Sequence, residues 1–91
     1  MENTVNVTAY LVKLNNSGDF YQFAAEKGRK YIKIVSTTNR GIGRSAHAFV
    51  DAQGNVYKAA SWAAPAKHAR FNLADLDKIT VDPYGSYLYM R

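Results

Sequence analysis

Apolar and polar positions in the first third of the chain predict helices. The apolar residues between positions 4 and 14 fit both the alternation of a strand and the three-to-four spacing of a helix. We favour the helix, in which one face carries Val7, Tyr10, Leu11 and Leu14. The Asn-Asn-Ser-Gly run at 15–18 is a break.

A second short helix is predicted over residues 20–27. Asp19 and Gln22 have the spacing of a capping pair. Phe20, Phe23 and Ala24 would lie on the buried face of this helix. Gly28 follows, where a helix commonly ends in a left-handed residue.

The middle of the chain predicts an antiparallel β-meander. Its three strands are residues 30–38, 45–51 and 56–62, joined by a loop at 39–44 and a hairpin turn in which Gly54 takes a positive φ. The small Ala46 and Ala48 would let the N-terminal helices approach one face closely. The opposite face is expected to show these side chains: Tyr31, Lys33, His47, Phe49 and Tyr57.

The last third begins after Trp62, where Pro65 argues against a continued strand. Asn72 is predicted to cap a short helical turn, and residues 82–85 form a type I turn. Residues 86–91 alternate as a terminal strand or docked segment. The whole pattern predicts one α+β domain over 1–91: a small antiparallel meander of three or four strands with N-terminal helical segments packed on one face.

Charge is concentrated in the middle of the chain. The net charge is +5, yet residues 28–50 hold five cations and no carboxylate, so these cations are expected to lack local partners. The same distribution is also typical of a solvated basic face that serves solubility.

Most chemistry is excluded by composition and motif. The chain has no cysteine, and His47 and His68 lack neighbouring ligands, so no disulfide or metal site is predicted. No serine lies in a nucleophile elbow, and residues 40–44 lack the third glycine of a dinucleotide fingerprint and the lysine of a P-loop. We therefore predict a protein that is not an enzyme, needs no cofactor, and does not bind a membrane.

Interleaved aromatic and basic residues favour nucleic-acid binding, because aromatic rings stack on bases while cations contact phosphates. The aromatic side chains in question are Tyr31, Phe49, Tyr57 and Trp62. The residues predicted to bind nucleic acid or a partner are Arg29, Lys30, Lys33, Arg40, Arg44, Lys58, Trp62, Lys67 and Arg70.

Four stretches carry a resemblance: His47–Asp51, Gly54–Trp62, Ala64–Leu73 and Gly85–Tyr89. Over about residues 28–91 the chain resembles small accessory proteins of unknown function encoded by tailed bacteriophages. The resemblance implies expression in the cytoplasm of an infected bacterium, consistent with the missing cysteines and signal peptide. It assigns no catalytic or binding residue.

This setting leaves a second class of partner open. Phages encode small proteins that bind and disable host or defence proteins, and the same positive face suits an acidic protein surface. Tyr84, Tyr87 and Tyr89 would suit such a contact, or would complete the domain's own core.

Overall fold

A computed structural model describes residues 5–18, 20–38, 43–83 and 85–88. Its helices are α1 (Thr8–Asn15) and two 3-10 helices, η1 (Leu73–Lys78) and η2 (Ser86–Leu88). Its strands are β1 (Tyr21–Lys27), β2 (Ile32–Thr38), β3 (Arg44–Val50), β4 (Asn55–Ala59) and β5 (Pro65–Asn72). The predicted loop residues 39–42, Tyr84 and residues 89–91 lie outside the described ranges.

The strands form one antiparallel sheet in the order β1-β2-β3-β4-β5. The fold is therefore a small α+β fold built on a meander. The expected number of three or four strands was wrong, because the sheet has five. The N-terminal cover is the single helix α1, as favoured by the pattern at 4–14.

Strand β1 replaces the helix predicted over 20–27. Its burial alternates, with Phe23 inside and Gln22 and Ala24 exposed, and all seven of its residues pair with β2. At its edge, the Asn15 amide donates to the Phe23 carbonyl oxygen and accepts from the Phe23 backbone N–H, at 3.2 and 2.8 Å. This long-range pairing outweighs the local helix propensity of the segment.

Strand β5 was missed because of Pro65. Pro65 is the first residue of this edge strand, a position that tolerates proline because its missing N–H costs no ladder hydrogen bond. Strand β4 ends at Ala59 and not at residue 62. Trp62 instead lies in the tight connection to β5, where the backbone N–H groups of Ala60 and Ser61 both donate to the Ala64 carbonyl.

One side of the sheet, which we call the inner face, packs against α1 and the C-terminal segment. The core includes the following buried residues: Val7, Tyr10, Leu14, Phe23, Ile32, Ile34, Ala48, Val50, Val56, Val81 and Leu88. Ile32 pairs with Val50, which pairs with Val56, so this row of side chains crosses three strands at one height. Burial of this face supplies the main stabilisation of the fold.

His47 was predicted on the wrong face. The β2–β3 register slips between Ile34 and Val35, which pair with Ala48 and Ala46, so His47 between them has no partner in the register. A one-residue bulge reverses the alternation of a strand locally. The His47 ring therefore lies on the inner face, 4.9 Å from the Phe23 ring centroid.

The structure confirms two predictions for turns and caps. Gly54 has a φ of +83° in the β3–β4 turn. The Asn72 side chain accepts from the Ala74 backbone N–H at the start of η1. Gly28 does not end a helix: it lies in the β1–β2 turn, where a Cβ would stand only 2.9 Å from the Tyr31 carbonyl oxygen.

Candidate nucleic-acid interface

The face opposite the core, which we call the outer face, carries a mixed row of side chains across the sheet. Glu26 pairs with Lys33, Lys33 with Phe49, and Phe49 with Tyr57. Directly paired residues in an antiparallel sheet project to the same side. Because neighbours in a strand alternate, Lys33 is on the outer face while Ile34 is in the core.

Aromatic rings form the centre of the outer face. The Tyr31 ring contacts those of Phe49 and Tyr57 edge to face, with centroids 6.0 and 5.8 Å apart. Phe49 is only 3% exposed, whereas both tyrosines are half-buried. Phe49 is thus the base of the cluster, and the two tyrosines are its accessible part.

Trp62 folds back over this face, and two cations lie against its ring. The Lys33 ammonium lies 3.8 Å from the indole centroid, and the Arg44 guanidinium carbon lies 5.3 Å from it. The indole remains 44% exposed. A cation over an indole face is attracted by the ring quadrupole, so this loop brings together an exposed stacking surface and two positive charges.

A cleft of about 280 Å³ lies at the β1–β2 turn beside these residues. Four cations line it: Lys27, Arg29, Lys30 and Lys33. Tyr31, Phe49 and Ala63 supply its apolar wall, and Glu26 also lines it. A cleft with several cations and an aromatic wall is complementary to a phosphate beside an unpaired base, because cations attract the phosphate and aromatic rings stack on the base.

Arg44 is not the isolated cation that the sequence suggested. Its guanidinium forms an ion pair with Glu26, although Glu26 lies in β1 and Arg44 in β3. Both side chains are about half exposed, at 52% and 43%. The absence of carboxylates between residues 28 and 50 therefore did not leave Arg44 unpaired, because the sheet brings in a carboxylate from the segment before.

The structure gathers part of the predicted site and disperses the rest. Lys33, Arg44 and Trp62 meet on the outer face, and Arg29 and Lys30 line the adjoining cleft. Lys67 is exposed in β5. Arg40 lies outside the described residues.

Lys58 and Arg70, which were predicted to belong to the same site, lie apart from these cations. Lys58 pairs with the core residue Ala48, so it projects to the inner face, one position away from Tyr57. The Arg70 guanidinium donates to the Leu88 carbonyl oxygen at 2.6 Å and also to the His68 carbonyl oxygen. Arg70 therefore holds η2 to the sheet.

Sequence reasoning missed Lys27 as a cleft residue because it was placed in a helix. It also missed a buried chain of hydrogen bonds on the inner face. The Tyr87 hydroxyl lies 2.7 Å from both the Tyr10 hydroxyl and His47 Nε2. The separation of these residues in the sequence gave no local signal for the contact.

Burial keeps the three side chains of this hydrogen-bond chain in their neutral forms. It lowers the pKa of His47 to about 4, against the opposing effect of the Asp82 charge, so the imidazole is neutral at pH 7. Burial likewise raises the pKa of Tyr10 and of Tyr87. These groups are neutral hydrogen-bonding partners in the core.

Within residues 5–18, 20–38, 43–83 and 85–88, no helix is long and apolar enough to cross a membrane. Among the same residues, no group of three or more His, Asp or Glu side chains is placed to hold a metal ion.

Comparison with known proteins relates the chain to a protein family. The sequence model of DUF7717, a family of unknown function, matches residues 1–90. No curated protein matches the chain, and neither does any solved structure.

Proposed function

The chain belongs to DUF7717, a family of unknown function, and we propose that it acts without catalysis by binding single-stranded nucleic acid on its outer face. The observation that carries the proposal is Trp62, half exposed, with the Lys33 and Arg44 cations over its ring and the basic cleft beside it. An exposed indole stacks on a base that is not already paired and stacked in a duplex.

The charges of the outer face support contacts to phosphates. Arg29, Lys30 and Lys33 line the cleft with Lys27, and Glu26 is already occupied by Arg44. Four phosphate contacts on a single strand give a slope of log affinity against log salt of about −3, at about −0.7 each. Stacking adds about 1–3 kcal/mol per base and depends little on salt.

The test measures the affinity of the full chain for fluorescent oligo-dT and oligo-U at several salt concentrations. We expect Lys33→Ala to reduce the steepness of the slope by about 0.7. Trp62→Ala should weaken binding about 5- to 150-fold and leave the slope unchanged. Lys78→Ala is the matched control, because this exposed lysine in η1 lines a different cleft.

Failure to bind either oligonucleotide at low salt would overturn the proposal. So would an equal loss of slope in Lys33→Ala and Lys78→Ala, since the effect would then be one of net charge alone. In either case an acidic protein surface, as expected of an inhibitor, becomes the partner class to examine.

A further inference from the structure

A second cleft, of about 260 Å³, lies on the side of the sheet away from Trp62. Its walls are the inner-face ends of β1 to β4 and the returning C-terminal segment, which contributes Pro83, Gly85 and Leu88. Sites for drug-sized ligands have volumes of roughly 300–1,000 Å³. This cleft therefore suits a smaller molecule, and it is independent of the proposed nucleic-acid surface.

The sheet side of the cleft presents hydroxyl groups. Ser36 is only 8% exposed, and the two preceding inward side chains of its strand, Ile32 and Ile34, are wholly buried and apolar. Its hydroxyl donates to the Ser45 carbonyl oxygen at 3.5 Å, the limit of a hydrogen bond. A buried hydroxyl with so long a bond is weakly compensated for its lost hydration, so turning its one proton to a better-placed acceptor in the cleft would stabilise it.

Lys58 supplies the positive charge of this cleft. It pairs with Ala48 in the register and so projects inward, and its ammonium group makes a long, 3.4 Å hydrogen bond to the Ala59 carbonyl oxygen. His47 also lines the cleft, but its lowered pKa keeps it neutral at pH 7. The Asp82 carboxylate acts on His47 electrostatically and accepts hydrogen bonds from the Ser86 hydroxyl and backbone N–H.

The base of the cleft is held in place by the buried hydrogen-bond chain. Tyr87 fixes His47 from one side, the Phe23 ring contacts it, and Gly85 lies against its Cε1–Nδ1 edge. Gly85 has a φ of +78°, a backbone conformation that favours glycine, and a Cβ at this position would be in ordinary van der Waals contact with Cε1 at 3.5 Å. The cleft is thus formed by groups that are already positioned in the free protein.

We propose that this cleft binds a small organic oxyanion, a carboxylate or phosphate monoester with a short apolar body. Lys58 neutralises the charge, and Pro83 and Leu88 contact the apolar part. The Ser45 hydroxyl donates to an anionic oxygen, and the Ser36 hydroxyl exchanges its long bond to the Ser45 carbonyl oxygen for one to the anion. Hydrogen bonds between ionised and neutral groups are the stronger class, which is why an anion is favoured over a neutral ligand.

The test is a titration of the ¹⁵N-labelled full chain with phenyl phosphate, benzoate and inorganic phosphate, followed by NMR. We expect saturable shifts at the Ser36, Ser45 and Lys58 amides with at least one of the two aromatic anions. The tighter aromatic ligand identifies the phosphate ester or the carboxylate as the anionic group. Inorganic phosphate, which has no apolar body, should bind more weakly than the preferred aromatic ligand.

Two variants locate the site. Lys58→Gln should raise the dissociation constant about tenfold or more, and Ser36→Ala about threefold to tenfold. Lys67→Gln makes the same charge change at an exposed lysine of β5 and should leave the constant within about twofold. Trp62→Ala should not affect it, which separates this site from the nucleic-acid surface.

The proposal is overturned if none of the three compounds gives saturable shifts at these amides at tens of millimolar, roughly the weakest binding of interest. It is equally overturned if Lys58→Gln and Lys67→Gln weaken binding by the same factor. Thermal unfolding of each variant shows that the comparison is made between folded proteins. Because Lys58 is only partly buried, its substitution leaves the core intact.

Discussion

On the inner face of the sheet, the polar groups of Tyr10, Tyr87 and His47 bond to one another beneath apolar side chains, whereas on the outer face two cations lie over a half-exposed indole. The inner groups are neutral and satisfied within the protein. The outer cations lie at the surface, with one carboxylate beside Arg44.

Because of this difference, residues that stabilise the fold and residues of the proposed binding surface alternate along the same strand. Side chains that alternate along β2 contribute in turn to the core and to the outer face. Substitutions of adjacent residues should therefore have different consequences: a loss of unfolding free energy on one side, and a loss of affinity for nucleic acid on the other. The predictions below test whether the two faces are independent in this way.

The largest effect is expected from neighbouring substitutions in β2. Ile34→Ala, at a fully buried site, should lower the free energy of unfolding by about 2–5 kcal/mol. Lys33→Ala should change it by less than about 1 kcal/mol, since the side chain is at the surface. Urea denaturation measures both. Similar losses in the two variants would show that the cation–indole contact is part of the core's stability.

A pH effect of about 3 kcal/mol should arise from His47 on the inner face. Between pH 6.5 and about 4, the unfolded chain binds a proton at His47 that the folded chain does not, so the free energy of unfolding falls as the pH is lowered. Above pH 6.5 both states are neutral at this residue and the effect vanishes. Denaturation at a series of pH values measures it.

Two variants assign this pH effect. His47→Gln should abolish the decline between pH 6.5 and 4, whereas His68→Gln, at the exposed histidine of β5, should retain it.

Burial raises the pKa of Asp51, but hydrogen bonds from Asn55, Tyr57 and Gln53 outweigh it and leave the pKa below 3.8. The Asp51 contribution is therefore present above that pH and lost below it, outside the window of His47.

A smaller effect is expected from removing one hydroxyl on each face. Tyr87→Phe leaves the Tyr10 hydroxyl and His47 Nε2 without their shared partner and should cost about 1–3 kcal/mol. Tyr57→Phe removes one of several hydrogen bonds to Asp51, the others coming from Gln53 and Asn55, and should cost about 0.5–1 kcal/mol. Calorimetric unfolding compares them, and equal costs would contradict the distinction between the faces.

Local signals predicted the parts of this fold that local physics determines. The positive φ at Gly54 and the cap at Asn72 depend on a few adjacent atoms, and both agree with the structure. Strand β1 was missed because it depends on pairing with β2, and β5 because its first residue is proline. The position of His47 depends on a register slip that alternation of residue types does not reveal.

In the candidate site too, the sequence predicts the local features and misses those that depend on tertiary contacts. Alternation correctly separates Lys33 from Ile34, yet the grouping of Lys58 with Tyr57 neglected that adjacent strand residues face opposite sides. The approach of Trp62 to Lys33 and Arg44 comes from a loop that folds over the sheet, and the ion pair with Glu26 spans three strands. Such contacts are determined by topology, which composition and spacing do not encode.

The smallest effect concerns the carboxylate of the outer face. Glu26→Gln removes an exposed ion pair and should change the unfolding free energy by less than about 1 kcal/mol. It also releases Arg44 for phosphate, so oligonucleotide affinity should rise about two- to fivefold at low salt and less at high salt. Asp75→Asn is the matched control, because it removes the exposed partner of Lys78 in η1, 3.7 Å away. An equal gain in both variants would mean that net charge, and not the position of Glu26 beside Arg44, governs binding.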